Sequence, residues 1–214
     1  MPFRDRVEAG RRLAGALVQY KGKDVVVLGI PRGGVVVAKE VADALEAPLD
    51  IVVSRKIGAP GEPEFALGAV TQEGEVILDR QAADSVGASN EYLESEIREK
   101  KEEVRQRMEN FRGDAPYPSL KGKVVIVVDD GIATGSSVEA AVMSIKKRDP
   151  REVVIAVPVA PPDTVESLKA GGNRVVCLEM PGMFFAIGEF YQRFDQVEDT
   201  EVKQILAESR KQRS

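Results

Sequence analysis

The sequence predicts an α/β fold, a doubly wound and mainly parallel sheet flanked by helices. Runs of β-branched residues, which are typical of strands buried on both faces, recur at 24–30, 48–54, 124–128, 151–157 and 174–178. Helical periodicity follows several of these runs, as at 35–46 and 163–170. Strands that alternate with helices through the core favour parallel strands joined by helical crossovers.

Length and composition indicate one globular unit. The chain has 214 residues, of which 43% are hydrophobic and 30% are charged. We therefore expect residues 1–214 to form a single domain. A net charge of −5 argues against a nucleic-acid partner, although it leaves room for a local basic pocket.

Missing residue types exclude several kinds of site. The sequence has no histidine, which excludes a histidine general base, a Ser-His-Asp triad and histidine-ligated zinc. Cys177 is the only cysteine, so neither an intramolecular disulfide nor a thiolate metal cluster forms. No apolar run reaches about 18 residues, and the N-terminus lacks a signal-peptide core. We expect no membrane contact and a cytoplasmic location.

The most informative stretch is 124–137. A strand of β-branched residues leads into Asp129 and Asp130, then into a loop of small residues and a helix from Val138 onward. A helix N-terminus presents unpaired N–H groups, and a glycine lets the backbone approach an anion closely. The pattern predicts a phosphate cradle made by Ala133, Thr134, Gly135, Ser136 and Ser137.

The two carboxylates favour a different part of the ligand. They would repel a phosphate but suit vicinal sugar hydroxyls or a hydrated Mg²⁺. A ligand that places its phosphate on the loop and its sugar on the acids is a ribose 5-phosphate. A P-loop fits worse because Gly135 is followed by Ser136 and not by lysine, and no G-x-G-x-x-G follows a strand. An ordinary turn is the other alternative, but it needs neither two acids nor three hydroxyls.

Residues 124–137 resemble the phosphoribosyl pyrophosphate (PRPP) motif of type I phosphoribosyltransferases. The resemblance implies transfer of a 5-phosphoribosyl group from PRPP to a nucleobase-like acceptor, with release of pyrophosphate. It implies that Asp129 and Asp130 are catalytic and hold the ribose hydroxyls, while 133–137 hold the 5-phosphate. Mg²⁺ is the implied cofactor, bound mainly through the ligand and water, so that the two acids contact it indirectly.

A second loop, Pro31-Arg32-Gly33-Gly34, follows the strand 24–30. It resembles the pyrophosphate loop of the same family, which implies pyrophosphate contacts from these four residues and a cis peptide bond at Pro31–Arg32. Glycines permit a close backbone approach, and Arg32 supplies positive charge. The alternative is an ordinary βα turn with a solvated arginine.

Arg55 and Lys56 follow the predicted strand 48–54. Open α/β sheets bind ligands outside the carboxyl ends of their strands. The resemblance implies that both cations bind pyrophosphate and that Lys56 and Arg32 are catalytic, since they would stabilise the departing group. Solvated surface cations are the alternative.

Two further segments complete the predicted surroundings of the site. Residues 57–64 are rich in glycine and proline and predict a mobile loop, which the resemblance implies would close over the site. Residues 65–71 and 75–79 alternate and predict a hairpin that turns at 72–74.

Residues 88–111 predict a long inserted helix with Ser89 as its N-cap. Its apolar seam is narrow, and three i,i+4 ion pairs are predicted: Glu94/Arg98, Glu96/Lys100 and Glu103/Arg107. A solvated helix lying on the body is the favoured interpretation, and a homodimer contact is the alternative.

The segment 179–197 concentrates much of the aromatic content. It resembles the base-stacking part of purine-type family members, which implies that Phe184, Phe185, Phe190 and Tyr191 contact the base; a small satellite core is the alternative. With part of 1–20, a predicted helix, this segment would form a hood over the site. Within residues 1–20, Arg4 and Arg12 are weaker candidates for ligand-binding residues.

Two other functions are alternatives to the transferase. A regulatory protein that senses PRPP or a nucleotide would keep the pocket and lose transfer, but retention of Arg32 and Lys56 favours the enzyme. A mononucleotide phosphohydrolase needs a nucleophile or a metal-ligand cluster, and the sequence shows neither. The acceptor and the general base are not identified by the sequence.

Overall fold

The computed structural model describes residues 2–113 and 115–211. Its strands are β1 (Val25–Gly29), β2 (Leu49–Ile51), β3 (Arg55–Ala59), β4 (Glu62–Val70), β5 (Val76–Leu78), β6 (Val124–Val128), β7 (Glu152–Val159) and β8 (Arg174–Glu179). Five of them form a parallel sheet in the order β2-β1-β6-β7-β8. Gly29 lies opposite Val128 in the register, so the loops after β1 and β6 begin side by side.

Helices cover both faces of this sheet. The described helices are α1 (Arg6–Ala16), α2 (Gly33–Leu45), α3 (Arg80–Ser85), α4 (Asn90–Arg112), α5 (Ser136–Lys146), α6 (Pro162–Ala170) and α7 (Asp199–Lys211). Of these, α3 and α4 pack on the strands β3 and β4. Alternate residues of β6 belong to two cores, since Ile126 packs with α1 and α2 while Val127 packs with α5 and α6. Burial on both faces explains the unbroken β-branched run and confirms the predicted doubly wound sheet.

A smaller antiparallel sheet, β3-β4-β5, corrects one prediction. The hairpin from 65–71 to 75–79 forms as predicted, but the mobile loop at 57–64 is wrong, because β3 and β4 pair through most of that segment. Pro60 and Gly61 make the turn, with φ of 76° at Gly61. Gly58 allows the two strands to approach closely, since a Cβ at this position would lie 2.8 Å from Pro63 Cα.

The inserted helix forms with the predicted cap. The hydroxyl of Ser89 accepts a hydrogen bond from the N–H of Tyr92 at 3.2 Å, and the buried residues of the helix join the main core. At its C-terminal end Arg112 makes a buried two-pronged pair with Asp50, with distances of 2.8 and 2.9 Å. The helix therefore packs on the body, as the favoured interpretation predicted.

The segment 179–197 is tied to the N-terminus. Phe3 donates its N–H to the carbonyl of Phe190 at 2.7 Å and accepts from Gln192 at 2.8 Å. Phe3 and Tyr191 are buried together in a small aromatic core. The C-terminal helix is α7, and residues 212–214 lie outside the described residues. Among the described helices, none is both long and apolar enough to cross a bilayer.

Candidate active site

Two acids follow β6 at the edge of the sheet where the strands end. Asp129 Oδ1 accepts the N–H of Asp130 at 2.9 Å, and Asp130 is 9% exposed. Burial raises the pKa of Asp129 well above its usual range, and the adjacent charge of Asp130 adds to the effect. Burial also raises the pKa of Asp130, but Arg6 opposes that rise. The contact with Arg6 therefore favours the charged form of Asp130.

Arg6 is a site residue that sequence reasoning missed. Its Nε donates to Asp130 Oδ2 at 2.7 Å, and its guanidinium lies 3.8 Å from the centre of the Phe194 ring. The side chain of Asp5 caps α1 and so fixes the backbone from which Arg6 projects. The sequence signal for this cap is Asp5 followed by Glu8 three residues later. That signal places Arg6 in the first turn of a helix.

The predicted arginines of the N-terminal segment lie elsewhere. Arg4 is exposed and pairs with Asp5 at 3.0 Å. Arg12 pairs with Glu179 at 2.9 Å and lies over the ring of Phe3. Arg12 thus joins α1 to the segment 179–197, and neither arginine contacts the two acids.

The loop between β1 and α2 packs directly against the two acids. The Pro31–Arg32 peptide bond is cis, as predicted. A Cβ on Gly34 would lie 2.8 Å from Asp129 Cα, and one on Gly33 would overlap the carboxylate of Asp130. Only glycine fits at these two positions, because the loop backbone lies against the acids.

The loop before α5 has the features of a phosphate cradle. Gly135 adopts φ of 88°, and its carbonyl accepts from Glu139 N at 2.9 Å, so the helix starts at Ser136. Ala133, Thr134 and Ser137 are exposed beside this helix N-terminus. The hydroxyl of Thr164, from α6, donates to the carbonyl of Ala133 at 2.9 Å and holds the loop in place.

Lys56 reaches this cradle and not the Pro31–Gly34 loop. Its Nζ donates to Ser136 Oγ at 3.0 Å and lies 3.2 Å from a carboxylate oxygen of Glu64. Ser136 Oγ in turn donates to Glu64 at 3.0 Å. The hydrogen bond from Ser136, followed by Lys56, lowers the pKa of Glu64, so a carboxylate anion already contacts the cradle.

Arg55 and Arg32 have other partners. Arg55 Nε donates to Glu103 of α4 at 2.7 Å, and Arg32 lies 3.5 Å from Asp199 of α7. A cavity of about 610 Å³ lies beside the Pro31–Arg32 bond, between α4 and α7. Arg32 lines it together with Glu103 and Asp199, so the predicted pyrophosphate loop borders an open space.

The four predicted base contacts occupy different environments. Tyr191 packs between Phe3 and Phe194, and its hydroxyl donates to the carbonyl of Asp130 at 2.5 Å. Tyr191 therefore supports the acid turn from behind, and its ring is already used in packing. Phe184 and Phe190 stack on each other with their centroids 5.1 Å apart. Phe185 is 83% exposed, so its ring is available to a ligand.

The donor set around the acids suits an indirect metal contact. In residues 2–113 and 115–211, no group of three or more acidic or cysteine side chains is arranged to hold a metal ion. One oxygen of Asp130 is occupied by Arg6. A Mg²⁺ that keeps several waters and enters with a polyphosphate fits these residues, whereas an all-protein cage does not.

Comparison with known proteins places the chain in a family. The model of the phosphoribosyl transferase domain matches residues 4–193. The chain belongs to the phosphoribosyl transferase family. Members of this family that resemble it include two Mycobacterium tuberculosis proteins, from strains CDC 1551 / Oshkosh and H37Rv, each named "Putative phosphoribosyl transferase". Each is 42% identical over 204 residues, which is 95% of this chain and 46% of the relative. The chain thus spans about half the length of these curated relatives.

A solved structure confirms the fold of this phosphoribosyl transferase domain. The crystal structure of TT1426 from Thermus thermophilus superimposes with a TM-score of 0.91 at 49% identity. The match covers 97% of this chain and 99% of that one. The helix α4 and the segment 179–197 therefore lie within the matched architecture.

Proposed function

We propose that the protein transfers a 5-phosphoribosyl group from PRPP to a nucleobase-like acceptor and releases pyrophosphate. One observation carries the proposal: the buried Asp130 and the half-buried Asp129 lie between two loops suited to phosphate groups. The Gly33-Gly34 backbone packs against the acids on one side, and the cradle at 133–137 leads into α5 on the other. A ribose 5-phosphate with a pyrophosphate on its first carbon fits this order of groups.

Each part of the chain has a role in the transfer. The bond between the ribose carbon and a pyrophosphate oxygen breaks as the bond to an acceptor nitrogen forms. The electron pair of the broken bond leaves with pyrophosphate, which can also take up the proton that the acceptor nitrogen loses. Asp129 and Asp130 hold the ribose hydroxyls beside the positive charge that develops on the sugar. The cradle and Lys56 hold the 5-phosphate, and Arg32 with the Gly33-Gly34 backbone stabilises the departing pyrophosphate. Bound Mg²⁺ would add charge neutralisation at the pyrophosphate oxygens.

The hood supplies the acceptor side in this proposal. Phe185 is the exposed aromatic ring of the segment 179–197, and the stacked pair of Phe184 and Phe190 stiffens its surroundings. A planar base would stack on Phe185 with its reacting nitrogen turned toward the acids. Tyr191 contributes by holding the acid turn rather than by contacting the base.

The test is pyrophosphate release from PRPP and Mg²⁺ across a panel of purine, pyrimidine and other bases. The Asp129→Asn/Asp130→Asn double variant is the control, because it keeps the size of both side chains and removes their charge. Release that depends on one base and disappears in the double variant supports the transferase and identifies the acceptor. PRPP binding without release for any base would favour the sensing regulator and reject catalysis.

A further inference from the structure

The inserted helix α4 carries an arginine that faces the loop beside the acids. Arg107, Gln106 and Asn110 line one wall of the 610 Å³ cavity, and Pro31 and Arg32 line another. The sequence predicted that Arg107 would pair with Glu103 one helical turn away. That prediction is wrong, because Glu103 binds Arg55 at 2.7 Å and Lys100 at 2.8 Å.

We propose that Arg107 of α4 is a pyrophosphate-binding residue, which holds the outer phosphate of PRPP in the cavity beside Pro31 and Arg32. This inference rests on the proposed function and adds a residue to it. The ligand class is a pyrophosphate or the diphosphate end of a sugar diphosphate. Arg107 lies on the inserted helix, outside both phosphate-loop patterns, so those patterns could not reveal it.

Two arginines, Arg32 and Arg107, line the cavity together with two acids, Glu103 and Asp199. Both acids already have partners. Glu103 accepts from Arg55 and Lys100. Asp199 lies 3.5 Å from Arg32 and accepts a hydrogen bond from Asn110 at 2.7 Å. Within the described residues, Arg107 has no hydrogen bond or ion pair. It is exposed toward the cavity and free to turn to a ligand.

The arginines near the loop also repel one another. Reduced solvation lowers the pKa of Arg107, and the positive charges of Arg55 and Arg32 add to that effect, while Glu103 and Asp199 oppose it. An anion between these guanidinium groups would relieve that repulsion. The planar fork of an arginine binds two phosphate oxygens at once, which gives both charge and orientation.

The test compares Arg107→Gln with Arg98→Gln, a matched control. Arg98 is an exposed arginine of the same helix. It lies about 13 Å away along the axis and on the opposite face, at about 1.5 Å and 100° per residue. Inorganic pyrophosphate and ribose 5-phosphate are titrated separately into the full chain with Mg²⁺, by calorimetry.

We expect Arg107→Gln to raise the Kd for pyrophosphate about tenfold and to leave the Kd for ribose 5-phosphate unchanged. Arg98→Gln should change neither value, and Arg107→Lys should restore part of the loss. Equal pyrophosphate affinity in the two glutamine variants would overturn the role of Arg107 and leave the proposed function standing. If the unmodified protein binds neither ligand, the proposed function fails as well.

Discussion

Arg6 donates to Asp130 over 2.7 Å, and their side chains are only 11% and 12% exposed. The pair joins the first turn of α1 to the end of β6. Because Arg6 opposes the protonation of Asp130, the pair distinguishes two neighbouring acids that the sequence presents as equivalent. Asp130 has the arginine as a direct partner, while Asp129 accepts the N–H of Asp130.

Replacement of Arg6 should destabilise the protein, because Asp130 would lose its cationic partner. Arg6→Gln leaves Asp130 buried without its cation, so the free energy of unfolding near pH 7.5 should fall by about 3 kcal/mol. The loss should shrink toward pH 4, where protonation of Asp130 removes the unpaired charge. Urea unfolding at both pH values measures the effect, and Arg4→Gln is the exposed control. An equal loss at both pH values would contradict the explanation.

Asp129→Asn should stabilise the protein near neutral pH. The folded pKa of Asp129 lies above its unfolded value, so the folded state binds more protons between the two. Stability then declines as pH rises through the folded pKa, and the asparagine variant avoids that decline. Its Tm at pH 7.5 should rise by a few degrees, at about 2–4 °C per kcal/mol for a chain of this size.

The control for that change is Asp84→Asn, at an exposed acid of α3. Thermal scans from pH 4 to pH 8 should show a flatter profile for Asp129→Asn and an unchanged profile for the control. A lower Tm for Asp129→Asn throughout this range would show that the ionised carboxylate of Asp129 does not destabilise the folded protein.

Glu64→Gln should strengthen phosphate binding at the cradle. The carboxylate of Glu64 contacts both Ser136 and Lys56, so an incoming phosphate meets a like charge and a cation that is already paired. We expect a several-fold lower Kd for ribose 5-phosphate in Glu64→Gln, measured by calorimetry. Glu62→Gln changes an exposed acid of the same hairpin and should have little effect. A weaker affinity in Glu64→Gln would instead make Glu64 part of the binding site.

Gly33→Ala should disrupt the acid pair through packing alone. The new Cβ would overlap the carboxylate of Asp130 and lie 2.8 Å from Arg6 Nε, so the Arg6–Asp130 contact must shift. Overpacking of this kind costs about 1–3 kcal/mol, and we expect PRPP binding to weaken with it. In Gly15→Ala, by contrast, a Cβ meets no atom within 4 Å, and the helix should gain up to about 1 kcal/mol. Equal Tm values for the two variants would contradict the packing argument.

The main sheet and the positions of the two loops that lead into α2 and α5 could be predicted because their signals are local. The β-branched run of β6 reports burial on both faces, and the cap at Ser89 lies next to the helix it starts. The cis bond at Pro31–Arg32 followed from the resemblance of its loop to a known one.

The missed features depend on contacts between distant parts of the chain. Arg6 and Asp130 are 124 residues apart, so no local pattern joins them. Glu103 has a neighbour at helical spacing in Arg107, yet it binds Arg55 because β3 packs beside α4. The strand β3 was missed because Gly58 suggested a loop, although that glycine permits close packing against Pro63.

The most direct test of the PRPP site is calorimetric titration of PRPP with Mg²⁺ into the unmodified chain and into the Asp129→Asn/Asp130→Asn variant. We expect saturable binding of one PRPP per chain, and a loss of about tenfold or more in the folded double variant. Equal binding by both proteins, or no binding by the unmodified chain, would contradict the assignment of 124–137 as the PRPP site.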